Sequence, residues 1–370
     1  MPYPEELDYW TAEISTGFGQ LSQSQARVLA LYSYGMVMTQ HCGQTLIVTF
    51  LGMLLGIPVQ NLRQRLREWN YESEQKRGDK RQAIQVERHF GWLMRFILSY
   101  WKQPKRLILA LDVTYLRDRH TILTVSVLYR GCAIPVAWRV LNSHEKGEWH
   151  PIWVHLLERL CSGIAPGWQV LVLCDRGLYS KRLFGVIRGS GWHPFMRIRP
   201  QGLYRRLHAC KWQSLTTIAF RGMKSRCLRV ECFKGDPLAC TLWVQWQAQY
   251  TEPCLMVTDL APAQVGGNPY ALRCWIEAGF KDLKRGGFGW EQSKISVPHR
   301  MERLMLVMAL ALFWLVRQGS CQADEFLFDP IPASLSCVSL GWLSTLVCTI
   351  QHRPLPFAYF SAYSLPPIPS

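Results

Sequence analysis

The chain has 370 residues, of which 49% are hydrophobic and 18% are charged, so it has ample apolar material for a packed core. This composition excludes a disordered or collagen-like chain. The 42 Lys and Arg residues outnumber the 26 Asp and Glu residues, which gives a formal net charge of +16. A surplus of this size favours a nucleic acid as the partner over an anionic membrane surface.

The N-terminus, the cysteines and the apolar runs indicate a soluble protein of the cytoplasm. Glu5, Glu6 and Asp8 occupy positions where a signal peptide needs positive charge. The 13 cysteines include no C-x-x-C pair, and we expect them to be reduced. The longest apolar run, from Leu304 to Val316, is shorter than the roughly 20 residues that cross a bilayer. We therefore expect no membrane partner.

Residues 1–103 are predicted to form an all-helical domain. Helical periodicity runs through four segments, Gln25–Met38, Gln44–Leu55, Val59–Trp69 and Gln85–Tyr100. The tight connection Gly56-Ile57-Pro58 predicts a helix-turn-helix whose second helix carries Arg63 and Arg67 towards DNA. A helical bundle with a solvated basic face is the alternative interpretation.

Residues 104–317 are predicted to form an α/β domain. A strand at Leu107–Leu111 is followed by a hairpin, and helices then alternate with two more strands. The predicted order is three strands, then helix, strand, helix, strand, which is typical of a ribonuclease-H-like mixed sheet. The predicted segments after the first strand are His120–Tyr129, Cys132–Leu141, Pro151–Leu160, Val170–Cys174, Ser180–Arg188 and Pro194–Ile198.

A β-rich insertion is predicted at about residues 199–262, and a C-terminal tail at residues 318–370 with one helix near Ser339–Gln351. The stretch 195–235 holds ten basic residues against a single acidic one, Glu231. Such one-sided charge is typical of a surface that follows a phosphate backbone.

Three carboxylates stand at positions that suit catalysis. Asp112 and Asp175 each end an apolar strand, and sites in open α/β sheets gather at strand ends. Glu277 lies on a predicted helix that begins near Tyr270. Because no His or Cys cluster accompanies these carboxylates, they suit Mg²⁺ or Mn²⁺ rather than zinc. Two such ions support phosphoryl transfer.

The helix predicted from Tyr270 has two faces. At about 100° per residue, Tyr270, Arg273, Glu277 and Lys284 fall within one narrow arc. A separate apolar stripe would pack on a sheet, and it consists of Leu272, Ile276, Gly279, Phe280 and Leu283. The alternative for the polar arc is ordinary helix stabilisation, because Arg273–Glu277 and Glu277–Lys281 are i,i+4 pairs.

The pattern Tyr270-x2-Arg273-x3-Glu277-x6-Lys284 resembles the YREK signature of the insertion-sequence-4 family of DDE transposases. Asp112, in LALDVTYL, and Asp175, in LVLCDRGLYS, resemble the first and second catalytic aspartates of that family. The resemblance runs from about Leu107 to Val316 and includes the β-rich insertion between Asp175 and Glu277.

This resemblance implies a bacterial, nucleoid-associated transposase that cuts and pastes DNA at the terminal inverted repeats of its element. Asp112, Asp175 and Glu277 would hold two Mg²⁺ or Mn²⁺ ions. Tyr270, Arg273 and Lys284 would contact DNA phosphates, and Lys281 is a further candidate for DNA binding. The partners would be double-stranded transposon-end and target DNA, and a second copy of the chain in a homodimeric synaptic complex.

Two other functions stay open at this point. One is a related Mg²⁺-dependent nuclease or domesticated recombinase that cuts DNA without strand transfer. The other is a non-catalytic DNA-binding repressor derived from a transposase, against which the intact Asp112, Asp175, Glu277 and Lys284 argue.

Overall fold

The computed structural model describes residues 5–77, 82–102, 104–143, 145, 147–265, 267–284, 286–325, 335–355 and 359–360. The α-helices in this part of the chain are α1 (Glu5–Gly17), α2 (Gln23–Thr39), α3 (Gln44–Leu55), α4 (Val59–Trp69), α5 (Phe90–Ser99), α6 (His150–Cys161), α7 (Lys181–Gly189), α8 (Cys274–Leu283), α9 (Pro298–Glu325) and α10 (Cys337–Ile350). The strands are β1 (Arg106–Leu116), β2 (His120–Tyr129), β3 (Cys132–Asn142), β4 (Gln169–Cys174), β5 (His193–Ile198), β6 (Leu203–Arg206), β7 (Gln213–Ser214), β8 (Arg226–Cys232), β9 (Leu238–Gln245) and β10 (Cys254–Thr258).

These bounds confirm the predicted order of elements, and those of α3, α4 and β2 agree with the prediction at both ends. The helix α1 was missed. Its buried residues Leu7, Trp10 and Ile14 have helical spacing, so the periodicity that predicts it was present in the sequence. The fold is mixed α/β, with a large mixed sheet and helices.

The chain divides into two compact units. Of the described residues, the first unit comprises those within 1–104, 113–166 and 275–362, and the second comprises those within 105–112 and 167–274. The domain boundaries predicted near residues 103 and 317 come from the sequence pattern, whereas the two units are defined by contacts in the structure. The division into three domains stays a prediction.

The first unit is built around α9. Every residue from Leu304 to Val316 is buried, and α2, α10 and β3 all pack against this helix. The ring of Trp10 on α1 lies edge-on to Trp314 at 4.8 Å, so the N-terminal helices and α9 share one core. The segment Pro298–Cys321 is long and apolar enough to cross a membrane, but its most apolar window is entirely buried, as expected for the core helix of a soluble protein.

The second unit is a mixed sheet. Its strands lie in the order β1, β4, β5, β10, β9, β8, β6, β7, where the first part of β1 belongs to this unit. The pairs β1–β4 and β4–β5 are parallel, and the remaining pairs are antiparallel. The predicted β-rich insertion thus continues the sheet as β6 to β10.

A glycine lets α8 approach β3 closely within the first unit. A Cβ atom on Gly279 would lie 2.7 Å from the main-chain oxygen of Ala133 and 2.8 Å from its Cβ. Both atoms belong to a strand that the sheet holds in place, so they have little room to move. This contact confirms that the predicted apolar stripe packs on a strand.

We expect Gly279→Ala to lower the free energy of unfolding by about 1–3 kcal/mol, because the added methyl group overpacks this contact. Gly185→Ala on α7 is the matched control, since its Cβ would meet nothing within 4 Å and Ala favours a helix. Urea unfolding followed by circular dichroism measures both variants. Equal stability of Gly279→Ala and the parent protein would contradict the close packing.

Candidate active site

Two aspartates follow the last paired residues of two neighbouring parallel strands in the second unit. Leu111 on β1 pairs with Cys174 on β4, and Asp112 and Asp175 are the next residues of the chain. Asp175 directly follows the end of β4, as predicted, but the prediction that Asp112 ends its strand is wrong, because β1 continues to Leu116. Neighbouring strands lie about 4.8 Å apart. The register therefore brings the two aspartates to adjacent positions at the carboxyl edge of the sheet, where sites of α/β proteins form.

Each of these aspartates has a specific partner in the same unit. Arg273 Nη2 lies 2.7 Å from Asp112 Oδ1, and the two side chains are only 12% and 19% exposed. The Tyr270 hydroxyl donates a hydrogen bond of 2.8 Å to Asp175 Oδ1. Tyr270 and Arg273 therefore orient one oxygen of each carboxylate. We call Asp112 and Asp175 the aspartate pair, and Arg273 and Tyr270 its two partners.

The environment of Asp175 favours its charged form. Burial raises the pKa of this carboxyl, but the Arg176 amide, the Tyr270 hydroxyl and two nearby guanidinium groups outweigh burial and lower the pKa below its usual value. Burial, followed by the charge of Asp175, raises the pKa of Tyr270, so the phenol keeps its proton and donates a hydrogen bond to the carboxylate.

Arg197 on β5 is a residue of this site that motif reasoning missed. Its guanidinium lies 6.0 Å from the ring centre of Tyr270, and its positive charge is one of the causes that lower the pKa of Asp175. One signal for it was present in the sequence, since Arg197 belongs to the strongly basic stretch 195–235. Only the position of β5 beside β4 connects it with the aspartates.

The α-helix predicted to begin near Tyr270 begins later in the chain. Tyr270 and Arg273 lie in a 3₁₀ turn, Pro269–Arg273, whereas α8 begins at Cys274 and ends at Leu283. A 3₁₀ turn has three residues per turn, so the predicted arc of four side chains at 100° spacing does not hold. The apolar stripe is confirmed, because all five of its residues are buried.

Glu277 and the two lysines near it belong to the first unit. Glu277 lies exposed in the first turn of α8, and Lys281 is exposed in the last turn. Lys284, directly after the helix, donates a hydrogen bond of 2.8 Å from Nζ to Thr114 Oγ1. Nothing in the sequence indicated that Lys284 contacts Thr114.

Among the described residues, no group of three or more His, Cys, Asp or Glu side chains is close enough to hold a metal ion. The predicted three-carboxylate metal site therefore stays a prediction. Asp112 and Asp175 alone offer oxygen ligands, which are the donors that Mg²⁺ and Mn²⁺ prefer. The aspartate pair thus fits part of the predicted ligand set.

The predicted helix-turn-helix lies in the first unit. Gly56 ends α3 with a φ of 64°, a left-handed conformation that glycine adopts without strain, and α4 begins three residues later. Leu62, Leu66 and Trp69 bury one face of α4. Arg67 is exposed and Arg63 is half-buried, so both remain candidates for DNA contact.

The comparisons with known proteins agree with this site in part. Residues 142–314, a little under half of the chain, match the family model for the transposase DDE domain. The matched range contains Asp175, Tyr270, Arg273 and Glu277 and begins after Asp112. No match was found among curated protein sequences.

A distant structural likeness also involves a transposase. The chain aligns with a solved structure described as the cryo-EM structure of the piggyBac transposase synaptic complex with hairpin DNA, at 10% identity and a TM-score of 0.44. The alignment covers 93% of this chain and 79% of that chain. A likeness of this size assigns no residue roles.

The match over residues 142–314 is to the DDE domain of transposases, and it supports an enzyme of DNA transposition as the class of this protein.

Proposed function

We propose that the chain catalyses divalent-metal-dependent cleavage and strand transfer at the terminal inverted repeats of its own element, as a member of the insertion-sequence-4 family with a YREK motif. The observation that carries this proposal is the aspartate pair directly after the last paired residues of two adjacent parallel strands, with Arg273 on one carboxylate and Tyr270 on the other. The proposed fold of the catalytic part is ribonuclease-H-like.

In this proposal Asp112, Asp175 and Glu277 hold two Mg²⁺ or Mn²⁺ ions. Bound ions of this kind activate the attacking oxygen and stabilise the leaving oxygen of a phosphodiester. DDE transposase domains generally use divalent ions, and the two aspartates supply suitable oxygen donors.

Arg273 and Tyr270 have an orienting role in the resting protein, because each fixes one carboxylate oxygen. Both residues, with Arg197, also place positive charge and a hydroxyl donor where a DNA phosphate would meet the aspartates. Lys284, Lys281, Arg63 and Arg67 are proposed to contact the DNA backbone elsewhere, since cations that meet phosphates position a duplex.

The proposed partners are double-stranded transposon-end and target DNA, and a second copy of the chain in the synaptic complex. The net charge of +16 supports a DNA partner. The proposed location is the bacterial cytoplasm, in association with the nucleoid.

Cleavage by the full-length protein tests this function. The substrate is DNA that carries both ends of the element, taken from the sequence that flanks the gene, together with a supercoiled target plasmid. With Mg²⁺ we expect nicks at the element ends followed by products joined to the target, and with EDTA we expect neither. Gel electrophoresis of labelled ends measures both steps.

Two outcomes would contradict the proposal. Equal cleavage in EDTA and in Mg²⁺ would remove the metal-dependent mechanism. Cleavage with Mg²⁺ that never yields joined products would identify a nuclease instead of a strand-transfer enzyme.

A further inference from the structure

The first unit contains a groove that has the size of a ligand site, and neither the aspartate pair nor its two partners line it. Its volume is about 830 Å³, within the range of cavities that hold small organic ligands. Its walls come from the start of α3, from the end of α4 with Asn70 and Tyr71, and from the stretch between Gln292 and Arg300. We call it the α3–α4 groove.

The charged side chains that line the α3–α4 groove are all basic. They are Arg67, Lys294 and Arg300, and the described lining residues include no Asp or Glu. Arg300 lies over the ring of Tyr71 at 5.1 Å, and its Nη2 donates to Gln75 at 2.9 Å. Its buried Nε has no hydrogen-bond partner in the described part of the chain. A groove lined by one sign of charge attracts an anion.

The start of α3 adds main-chain donors to the same groove. Gly43 is the N-cap residue and makes no side-chain cap, so the first amide groups of this 12-residue helix keep their capacity to bind an anion. Asn70 is an independent indication of a ligand. It lines the groove, is only 6% exposed, and its Oδ1 accepts no hydrogen bond from any described residue.

The remaining lining is largely apolar or aromatic. Leu46, Ile295, Val297 and Leu304 line the groove together with the ring of Tyr32. Apolar surface of this kind suits a nucleobase, and the Asn70 oxygen suits an N–H group on the edge of a base. The groove therefore combines anion donors with a surface for a base.

Hydrogen bonds hold the walls of the groove in place. Gln44 Nε2 donates to the Leu66 carbonyl at 2.9 Å and joins α3 to α4. Trp69 Nε1 donates to the Arg303 carbonyl at 3.0 Å and joins α4 to α9. Because these contacts fix the walls without a ligand, binding costs little reorganisation.

We propose that the α3–α4 groove binds a nucleotide, with its phosphate at Arg67, Lys294 and the start of α3 and its base against the apolar wall. A nucleotide of a DNA strand and a free mononucleotide share this chemistry. The choice of a DNA strand as the source rests on the proposed function, whereas the groove itself does not depend on the aspartate pair.

Binding by the full chain tests the proposal. The probe is a fluorescein-labelled single-stranded DNA 12-mer, measured by anisotropy in EDTA with the Asp175→Asn protein, so that cleavage plays no part. We expect Arg67→Ala and Lys294→Ala each to weaken binding about five- to tenfold and to lower the salt slope by about one. We expect Lys294→Arg to retain the affinity of the parent protein.

Arg65→Ala is the matched control, because Arg65 is an exposed arginine on the same helix that does not line the groove. Unchanged binding by Arg67→Ala and Lys294→Ala, or an equal loss in Arg65→Ala, would overturn the proposal. Competition with dAMP identifies the source of the ligand. Displacement of the 12-mer by dAMP supports a site for free mononucleotides, and groove-dependent binding without displacement supports a site for a strand.

The result is independent of the catalytic proposal. If Asp175→Asn still cleaves DNA, the aspartate assignment fails while the effects of Arg67 and Lys294 on binding remain. If those effects are absent but Asp175→Asn is inactive, only the groove assignment fails.

Discussion

Asp175→Asn is expected to reduce metal-dependent cleavage of element-end DNA about a thousandfold or more. The amide keeps the shape of the side chain and can still accept the hydrogen bond from Tyr270, but it removes the negative charge that a divalent ion requires. Loss of the several kcal/mol of charge stabilisation that a metal supplies corresponds to a rate loss of this size. Single-turnover nicking rates in Mg²⁺ measure the effect.

DNA binding separates a catalytic loss from a structural one. We expect the Asp175→Asn protein to bind end DNA within about twofold of the parent protein, because a phosphate contact does not depend on a carboxylate. Asp236→Asn is the matched control, since this aspartate is 70% exposed and pairs with Lys181 in the same unit. A nicking rate of Asp175→Asn close to that of Asp236→Asn would show that the aspartate pair is not the catalytic centre.

Glu13→Gln is expected to lower the free energy of unfolding of the first unit by about 3–5 kcal/mol. Arg317 is 1% exposed, and its two terminal nitrogens lie 3.0 and 3.1 Å from the Glu13 carboxylate. Its guanidinium also lies 4.3 Å from the centre of the Tyr100 ring. Replacing the carboxylate leaves the buried guanidinium of Arg317 without a counter-charge. The free-energy cost of this unpaired charge is larger than the net stabilisation that the ion pair provides.

A double variant distinguishes this cause from a general packing defect. Glu13→Leu with Arg317→Met removes both charges and keeps apolar volume, so we expect it to be more stable than Glu13→Gln alone. Urea unfolding monitored by tryptophan fluorescence compares the proteins. If the double variant is less stable than Glu13→Gln, burial of an unpaired arginine is not the main cause of the lost stability.

The helix-turn-helix and the strands show how far local pattern reaches. Gly56 and Pro58 stop one helix and start the next through their own backbone preferences, so the bounds of α3 and α4 follow from nearby residues. The apolar runs that end in Asp112 and Asp175 predict buried strands for the same reason. Each of these features depends on a few consecutive residues.

The turn at Tyr270 shows where local pattern stops. The residues from Pro269 to Leu283 have helical spacing, yet the chain forms a 3₁₀ turn up to Arg273 and an α-helix only from Cys274. In the second unit, a hydrogen bond holds Tyr270 and an ion pair holds Arg273, in each case to an aspartate far away in the sequence. Tertiary contacts of this strength outweigh the small differences in helix propensity that a sequence window records.

Composition and periodicity are local properties, and they predicted most of the helices and strands in their order, the two aspartates that follow apolar runs, and the basic character of the chain. The tertiary structure alone decided that Arg273 pairs with Asp112, that Tyr270 pairs with Asp175, and that Arg197 joins them. The register of β1, β4 and β5 aligns Asp112, Asp175 and Arg197, and the 3₁₀ turn at Pro269–Arg273 places Tyr270 and Arg273 against them. A register is set by the packing of whole strands rather than by the residues that it brings into contact.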